Sequence, residues 1–263
     1  VSVLLDYVES LFTQSAPGAR SLGYVRESFA LRARRRRQAR AWAAHQAETV
    51  RFLEALPADG EALVILGSGP LLDVPLEALA ARWPRVVLVD LVHPRAALAR
   101  AKTLRNVTVR LLDVTGCVAA LDAGAARANP RPPSLDLPTS ASVVSLNLLS
   151  QLPILPLERL ARMGTPAPEA EAFAQALVHA HLEWLTSMRV RRSALVTDVR
   201  RRWAVTPRDG GDTVCEVEDT LHGQRLPPPD RAWTWAVAPR GELDAETELT
   251  LDVEAFFDLR TAG

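Results

Sequence analysis

Ala-Leu-Val-Ile-Leu-Gly-Ser-Gly-Pro, residues 62–70, decides the fold of this 263-residue chain. An uncharged run, Ala62 to Leu66, meets Gly67 and Gly69, which reads as a strand buried on both faces and ended by a tight turn. Leu71, Leu72, Leu76, Leu79 and Ala80 then recur at helical spacing, and a second apolar run, Val86 to Val89, closes on Asp90. Strand, glycine turn, helix, strand and acid make one right-handed βαβ unit of a parallel sheet. In such a unit glycines admit a ligand to the backbone and the helix start offers free N–H groups. The carboxylate at the next strand's tip can hold two ribose hydroxyls. Asp90 lies 23 positions after Gly67, close to the roughly 20 of a nucleotide-binding fingerprint. Leu72 occupies the place of that pattern's third glycine, so a pyrophosphate has less room than a nucleoside without phosphates.

The same alternation continues outward. Pro94 can open a helix from Arg95 to about Arg105, and Asn106 to Asp113 reads as a third strand ending in an acid. After the turn Val114-Thr-Gly116 come a helix near residues 118–126 and a proline-rich loop, 129–138. Ala141 to Asn147 is a fourth strand with the exit loop Leu148 to Pro153. Helices are expected near 156–163 and over 169–188, the second with Phe173, Leu177, Ala180, Trp184 and Met188 on one side. His181, at the edge of that stripe, reads as a packed histidine. Residues 193–198 form a fifth strand, and 199–212, Arg-rich and then Gly-rich, read as a mobile connection. Residues 214–221, 233–238 and 249–253 can close the sheet as antiparallel strands.

Residues 1–56 read as a helical cap before an α/β domain over 57–263. Val3, Leu4, Tyr7, Val8, Leu11 and Phe12 make a first stripe ending at Pro17-Gly18, and one long helix is expected from near Ser21 to Leu56. Its middle carries Arg32, Arg34, Arg35, Arg36, Arg37 and Arg40. Such a run is a solvated face, an anion-facing lid over a pocket, or a patch for RNA or DNA phosphates. If it is a lid, Arg32, Arg36 and Arg40 align toward the anion, and Arg34 and Arg37 stay solvated.

Lys and Arg total 31 against 31 Asp and Glu, so no global field draws the chain to nucleic acid or membrane. No uncharged stretch reaches the length of a membrane span. The opening residues lack the order of a signal peptide, and a cytoplasmic protein is expected. Position 1 is Val, which places the expected start of the chain upstream. Cys117 and Cys215 stand alone, without the spacing of a disulfide framework or thiolate zinc site. No His-x-Glu or carboxylate cluster has metal spacing, so no catalytic metal is expected.

Helical preface, five β–α alternations and terminal antiparallel strands resemble the class I S-adenosylmethionine-dependent methyltransferases, over about residues 55–255. The resemblance rests on Gly67-Ser-Gly69-Pro-Leu71, Asp90, Asp113-Val114 and Asn147-Leu-Leu. It implies a Rossmann-like, mainly parallel seven-stranded sheet with helices on both faces and an N-terminal helical cap. It also implies S-adenosyl-L-methionine as cofactor, bound by Gly67, Ser68, Gly69, Asp90, Leu91, Asp113, Val114 and Asn147. In such enzymes the glycine loop passes under the methionine part, and the acid at Asp90 binds ribose. The acid at Asp113 contacts the adenine amine, and the loop at Asn147 borders the methyl group. The pattern differs at Ile65, where an acid is usual, and at Leu71, where a third glycine is usual.

The function implied is methylation of a small or medium metabolite. RNA methylation by way of the arginine clusters is an alternative, and a catalytically inactive nucleoside- or partner-binding protein is another. A nicotinamide dehydrogenase fits less well, since it needs glycine at position 72. An acceptor that carries a proton on oxygen or ring nitrogen needs a base. By fold order His45, His93 and Asn147 lie near, and of these a histidine can serve near pH 7.

Overall fold

A computed structural model describes residues 2–125, 128–207 and 211–260, with side chains from residue 6 onward. Four helices come first: α1 (Ser2–Phe12), α2 (Ala19–Leu22), α3 (Tyr24–Arg37) and α4 (Ala39–Ala55). The single long helix expected from Ser21 to Leu56 is thus interrupted twice. Gly23 takes φ 105°, a conformation open to glycine at little cost, and Gln38 leaves helical geometry at φ −104°, ψ 29°.

The quoted apolar run becomes β1 (Leu63–Leu66), buried at every position. It pairs in parallel with β2 (Val86–Asp90) on one side. Beyond β2 lies β3 (Val107–Leu111). On its other side β1 pairs with β4 (Ser142–Leu146), and β4 pairs in parallel with β5 (Arg192–Val205). The chain ends in β6 (Val214–Asp219), β7 (Arg231–Ala238) and β8 (Thr247–Phe256). The order is β3-β2-β1-β4-β5-β8-β7, with β6 paired to β5 off that path. The sheet therefore has eight strands, one more than the seven expected, and five of them run parallel.

The additional pairing comes from the length of β5. Residues 200–205 pair antiparallel with both β6 and β8, so the mobile connection expected from Val199 is strand as far as Val205. Its arginines meet carboxylates across the ladder, Arg201 with Glu218 at 3.1 Å and Arg202 with Asp252 at 2.6 Å. Opposite charges facing each other across strands stabilise a pairing that the arginine density disguised. Residues 208–210 of that connection lie outside the described residues, as does residue 126 at the end of the helix expected near 118–126.

Side chains of a strand alternate between faces, and β1 feeds two cores. Leu63 and Ile65 pack with Trp42, Phe52 and Leu53 of α4 and with Leu76 and Leu79 of α5 (Leu76–Arg82). Ala97 and Ala101 of α6 (Arg95–Lys102) close that layer. Val64 and Leu66 face the other core with Val178 and Leu185. On that side lie α7 (Val118–Asp122), α8 (Ile154–Arg162) and α9 (Ala167–Ser187). His181 of α9 is buried there and meets Ser145 Oγ at 2.9 Å. Loss of solvation holds its ring down to about 3. No helix among the described residues is long and apolar enough to cross a membrane.

β1 lies between β2 and β4, where the strand order reverses direction. The loops leaving β1 and β4 diverge there, and a crevice opens at the carboxyl ends of the strands.

Candidate active site

The floor of the crevice is the glycine turn. Gly67 takes φ 82°, and a Cβ built on it falls 2.7 Å from Leu146 O. The turn thus packs directly on the end of β4, at a distance only hydrogen allows. Gly69, at φ 38°, donates its N–H to Asp90 Oδ2 at 2.8 Å, and Val92 N–H donates to Oδ1 at 3.1 Å. Each oxygen keeps a lone pair for a further donor. Burial pushes the Asp90 carboxyl up to about 6, against the lowering effect of these backbone donors.

The segment beyond the turn differs from the expectation. Leu71 takes φ 58°, so this position adopts the conformation of the glycine that the pattern prefers there. The helix begins at Leu76 instead of running on from Leu71, and Pro75 stands at its N-cap. The turn's own N–H groups are engaged within the protein, those of Gly67 and Ser68 on Val89 O, that of Gly69 on Asp90 and that of Leu71 on Ser68 O.

A cleft of about 450 Å³ opens above this floor. All eight residues named from the resemblance line it: Gly67, Ser68, Gly69, Asp90, Leu91, Asp113, Val114 and Asn147. Asp113 is already engaged. Its Oδ1 accepts from the Thr115 N–H and hydroxyl at 2.8 and 2.6 Å, and its Oδ2 accepts from Val118 N–H at the start of α7 at 2.8 Å. The roof is formed by Tyr24, Ser28 and Leu31 of α3 and by Trp42 of α4. Burial, with Cys117, Asp113 and Asp90 nearby, raises the Tyr24 phenol well above its ordinary range and keeps it protonated.

Neither histidine is placed as a free base. His93 is buried, meets Ser68 Oγ at 3.0 Å, and is held down to about 4 by loss of solvation. Its ring does not line the cleft and stays neutral near pH 7. His45 is fully buried behind the wall, stacked on Trp235 with centroids 3.9 Å apart. Trp233 Nε1–H, which can only donate, points at His45 Nδ1 at 3.1 Å, so the ring's proton resides on Nε2. That atom lies 3.7 Å from Asp73 Oδ2, beyond hydrogen-bond reach, and 3.4 Å from Asn147 Nδ2, itself a donor. The one ring lone pair, on Nδ1, is engaged by Trp233. Replacing it with Ala empties a stacked site and orphans the Trp233 N–H, at an expected cost of about 3 kcal/mol. Urea unfolding measures this, and a loss below about 1 kcal/mol contradicts the tie.

The arginine run is arranged differently from the expected lid. Arg32 pairs with Glu9 at 3.1 Å and with Asp6 at 3.6 Å, and Arg36 also pairs with Asp6. The aligned row thus faces α1. Arg37 and Arg34 converge on Glu242 in the loop between β7 and β8, the latter at 3.5 Å, and Arg34 is the one of the six that borders the cleft. Arg40 belongs to a different helix. The Arg37 guanidinium holds the Glu242 carboxyl down to about 2, despite the opposing effect of its burial.

Three acids of the cleft, Glu27, Asp73 and Asp198, are not among the residues expected from the sequence. Asp73, in the loop after the turn, accepts from Gln46 Nε2 at 3.0 Å and faces the Asn147 amide at 3.3 Å. Asp198 follows the apolar run of β5, as Asp90 follows that of β2, and that repeated pattern was the available signal. Trp203 and Trp235 line the same cleft.

No family model matches the chain, and no curated protein matches it. Among solved structures it is similar to the N-methyltransferase NodS from Bradyrhizobium japonicum WM9 in complex with S-adenosyl-L-homocysteine. The identity is 14%, over 82% of this chain and 87% of that one, with a TM-score of 0.40. It is also similar to CalS10, an amino pentose methyltransferase from Micromonospora echinaspora solved with S-adenosylmethionine. Here the identity is 17%, over 85% and 95% of the two chains, with a TM-score of 0.32. Streptomyces venezuelae DesVI matches at 12% identity over 80% and 91%, with a TM-score of 0.31.

Proposed function

We propose that this chain is a class I S-adenosylmethionine-dependent methyltransferase acting on a small molecule. One observation carries the reading. A half-buried carboxylate, Asp90, stands at the tip of β2, tied to a glycine turn at the point where the strand order reverses. A nucleoside ribose presents two adjacent hydroxyl donors, and Asp90 offers two oxygens with a lone pair each. The groups present fit such a ligand: the glycine turn keeps the floor low where a Cβ would collide, and Leu91 and Val114 supply apolar walls.

When bound, S-adenosylmethionine supplies an electrophilic methyl group on a sulfonium. The work left to the protein is chiefly to align nucleophile, methyl carbon and sulfur and to exclude water. Gly67, Ser68 and Gly69 would lie under the ligand, Asp90 would receive the ribose, and Asn147, at the end of β4, would border the reacting centre. Asp113, already bonded within its own loop, would shape the adenine end and accept there with the remaining lone pair of Oδ2.

RNA methylation would rest on the arginine clusters 32–40 and 189–202. Arg32, Arg34, Arg36 and Arg37 of the first face carboxylates of the same chain, as do Arg191, Arg192, Arg201 and Arg202 of the second, so the small-molecule reading is preferred.

A calorimetric titration with S-adenosylhomocysteine between pH 5 and 8 tests the proposal. Ribose hydroxyls favour ionised Asp90, so affinity is expected to be constant above pH 7 and to fall as pH drops below about 6, where the carboxyl takes up a proton. The Asp90→Asn variant should show weak binding without that slope. Absence of binding at every pH overturns the reading.

A further inference from the structure

Resting on the methyltransferase reading above, we propose that the methyl acceptor is an aliphatic amine. It enters as the ammonium ion and docks on Asp198.

Asp198 sits two residues beyond the last β4–β5 pair, Leu146 with Val196, at a register shift in β5 between Asp198 and Arg200. Such irregularities re-aim side chains at the rim of a sheet. The residue is 5% exposed and lines the cleft. Among the described residues, Ser150 supplies the carboxylate's one side-chain hydrogen bond, at 2.5 Å to Oδ1, and no cation forms a direct ion pair with it. Arg201 acts on it from a distance and makes its own ion pair with Glu218 at 3.1 Å. A desolvated carboxylate held directly by one hydroxyl is costly unless a cation joins it. An ammonium ion satisfies it; a neutral hydroxyl leaves the charge unbalanced, and a carboxylate ligand adds to the repulsion.

The surroundings agree with a cation. Trp203, half-buried, lines the cleft, and an indole face attracts an ammonium group once water is displaced. The acids at its lining, Glu27, Asp73, Asp90, Asp113 and Asp198, outnumber Arg34 and Arg201, so its potential draws positive ligands.

The same contact prepares the nucleophile. One N–H bond of the docked ammonium breaks, an O–H bond forms on Asp198, and the amine is left neutral with its lone pair free. Burial raises the Asp198 carboxyl above its ordinary range, which narrows the gap this proton must cross.

The test uses cyclohexylamine and cyclohexanol, of nearly equal shape, titrated into the full chain saturated with S-adenosylhomocysteine and followed by tryptophan fluorescence. The amine is expected to bind at least tenfold tighter than the alcohol. Asp198→Asn, isosteric and still able to accept from Ser150, should lose that preference while binding cyclohexanol within twofold of the parent. Equal affinities in the parent protein overturn the proposal whether or not the variant folds, as does an unchanged amine affinity in a folded variant. Calorimetry with S-adenosylhomocysteine separates the two readings. Nucleoside binding without amine preference overturns the amine site alone, and amine preference without nucleoside binding overturns the methyltransferase.

Discussion

Asp90→Ala is expected to weaken S-adenosylhomocysteine binding by more than a hundredfold. Two hydrogen bonds to an ionised carboxylate are each worth about 1.5–3 kcal/mol, so the pair contributes at least about 3 kcal/mol, and 1.36 kcal/mol is a factor of ten. The substitution also removes the acceptor of the Gly69 N–H and the Val92 N–H, loosening the turn under the ligand. Both effects reduce affinity. A thermal melt on the same sample checks that the variant is folded. An affinity within threefold of the parent removes Asp90 from the site.

Gly67→Ala is expected to be the most damaging substitution to the turn itself. At φ 82° a side chain is strained whatever space surrounds it, by about 1–2 kcal/mol. Here space is lacking too. The new Cβ falls 2.7 Å from Leu146 O and 2.9 Å from Leu148 Cβ, so the exits of β1 and β4 must separate. Overpacking of this kind adds about 1–3 kcal/mol, giving a total near 3 kcal/mol, together with loss of nucleoside binding. Gly164→Ala provides the control: φ is 74°, but nothing lies within 4 Å of its Cβ, and about 1–2 kcal/mol of backbone strain is expected alone. Urea unfolding of both variants distinguishes the cases, and equal losses contradict the close packing of the turn on β4.

β1 and β2 were legible because they are continuous apolar runs that end on glycine or acid, as strands covered on both faces require. Asp90 could be read for the same reason, whereas Asp113 follows the alternating strand Val107–Leu111. Asp198 closes an apolar run too. It was passed over because the residues after it, Arg200 to Arg202, read as loop, and what makes them strand is Glu218 and Asp252 across the ladder. Contacts so distant in sequence leave no local trace. The arginine helix shows this again: helical spacing aligned Arg32 with Arg36 correctly, but whether that row met the cleft or α1 depended on Asp6 and Glu9. The break at Gln38 carried no glycine or proline to announce it. The late start of α5 did have a signal, in Pro70 and Pro75, and the leucine spacing outweighed it in the reading.

Crystals grown with S-adenosylhomocysteine test the central claim most directly. The nucleoside is predicted to lie across the carboxyl ends of β1 to β4, with both ribose hydroxyls within hydrogen-bonding distance of the Asp90 carboxylate and its chain over Gly67 and Gly69. Density elsewhere on the molecule, or an empty cleft at saturating ligand, contradicts it.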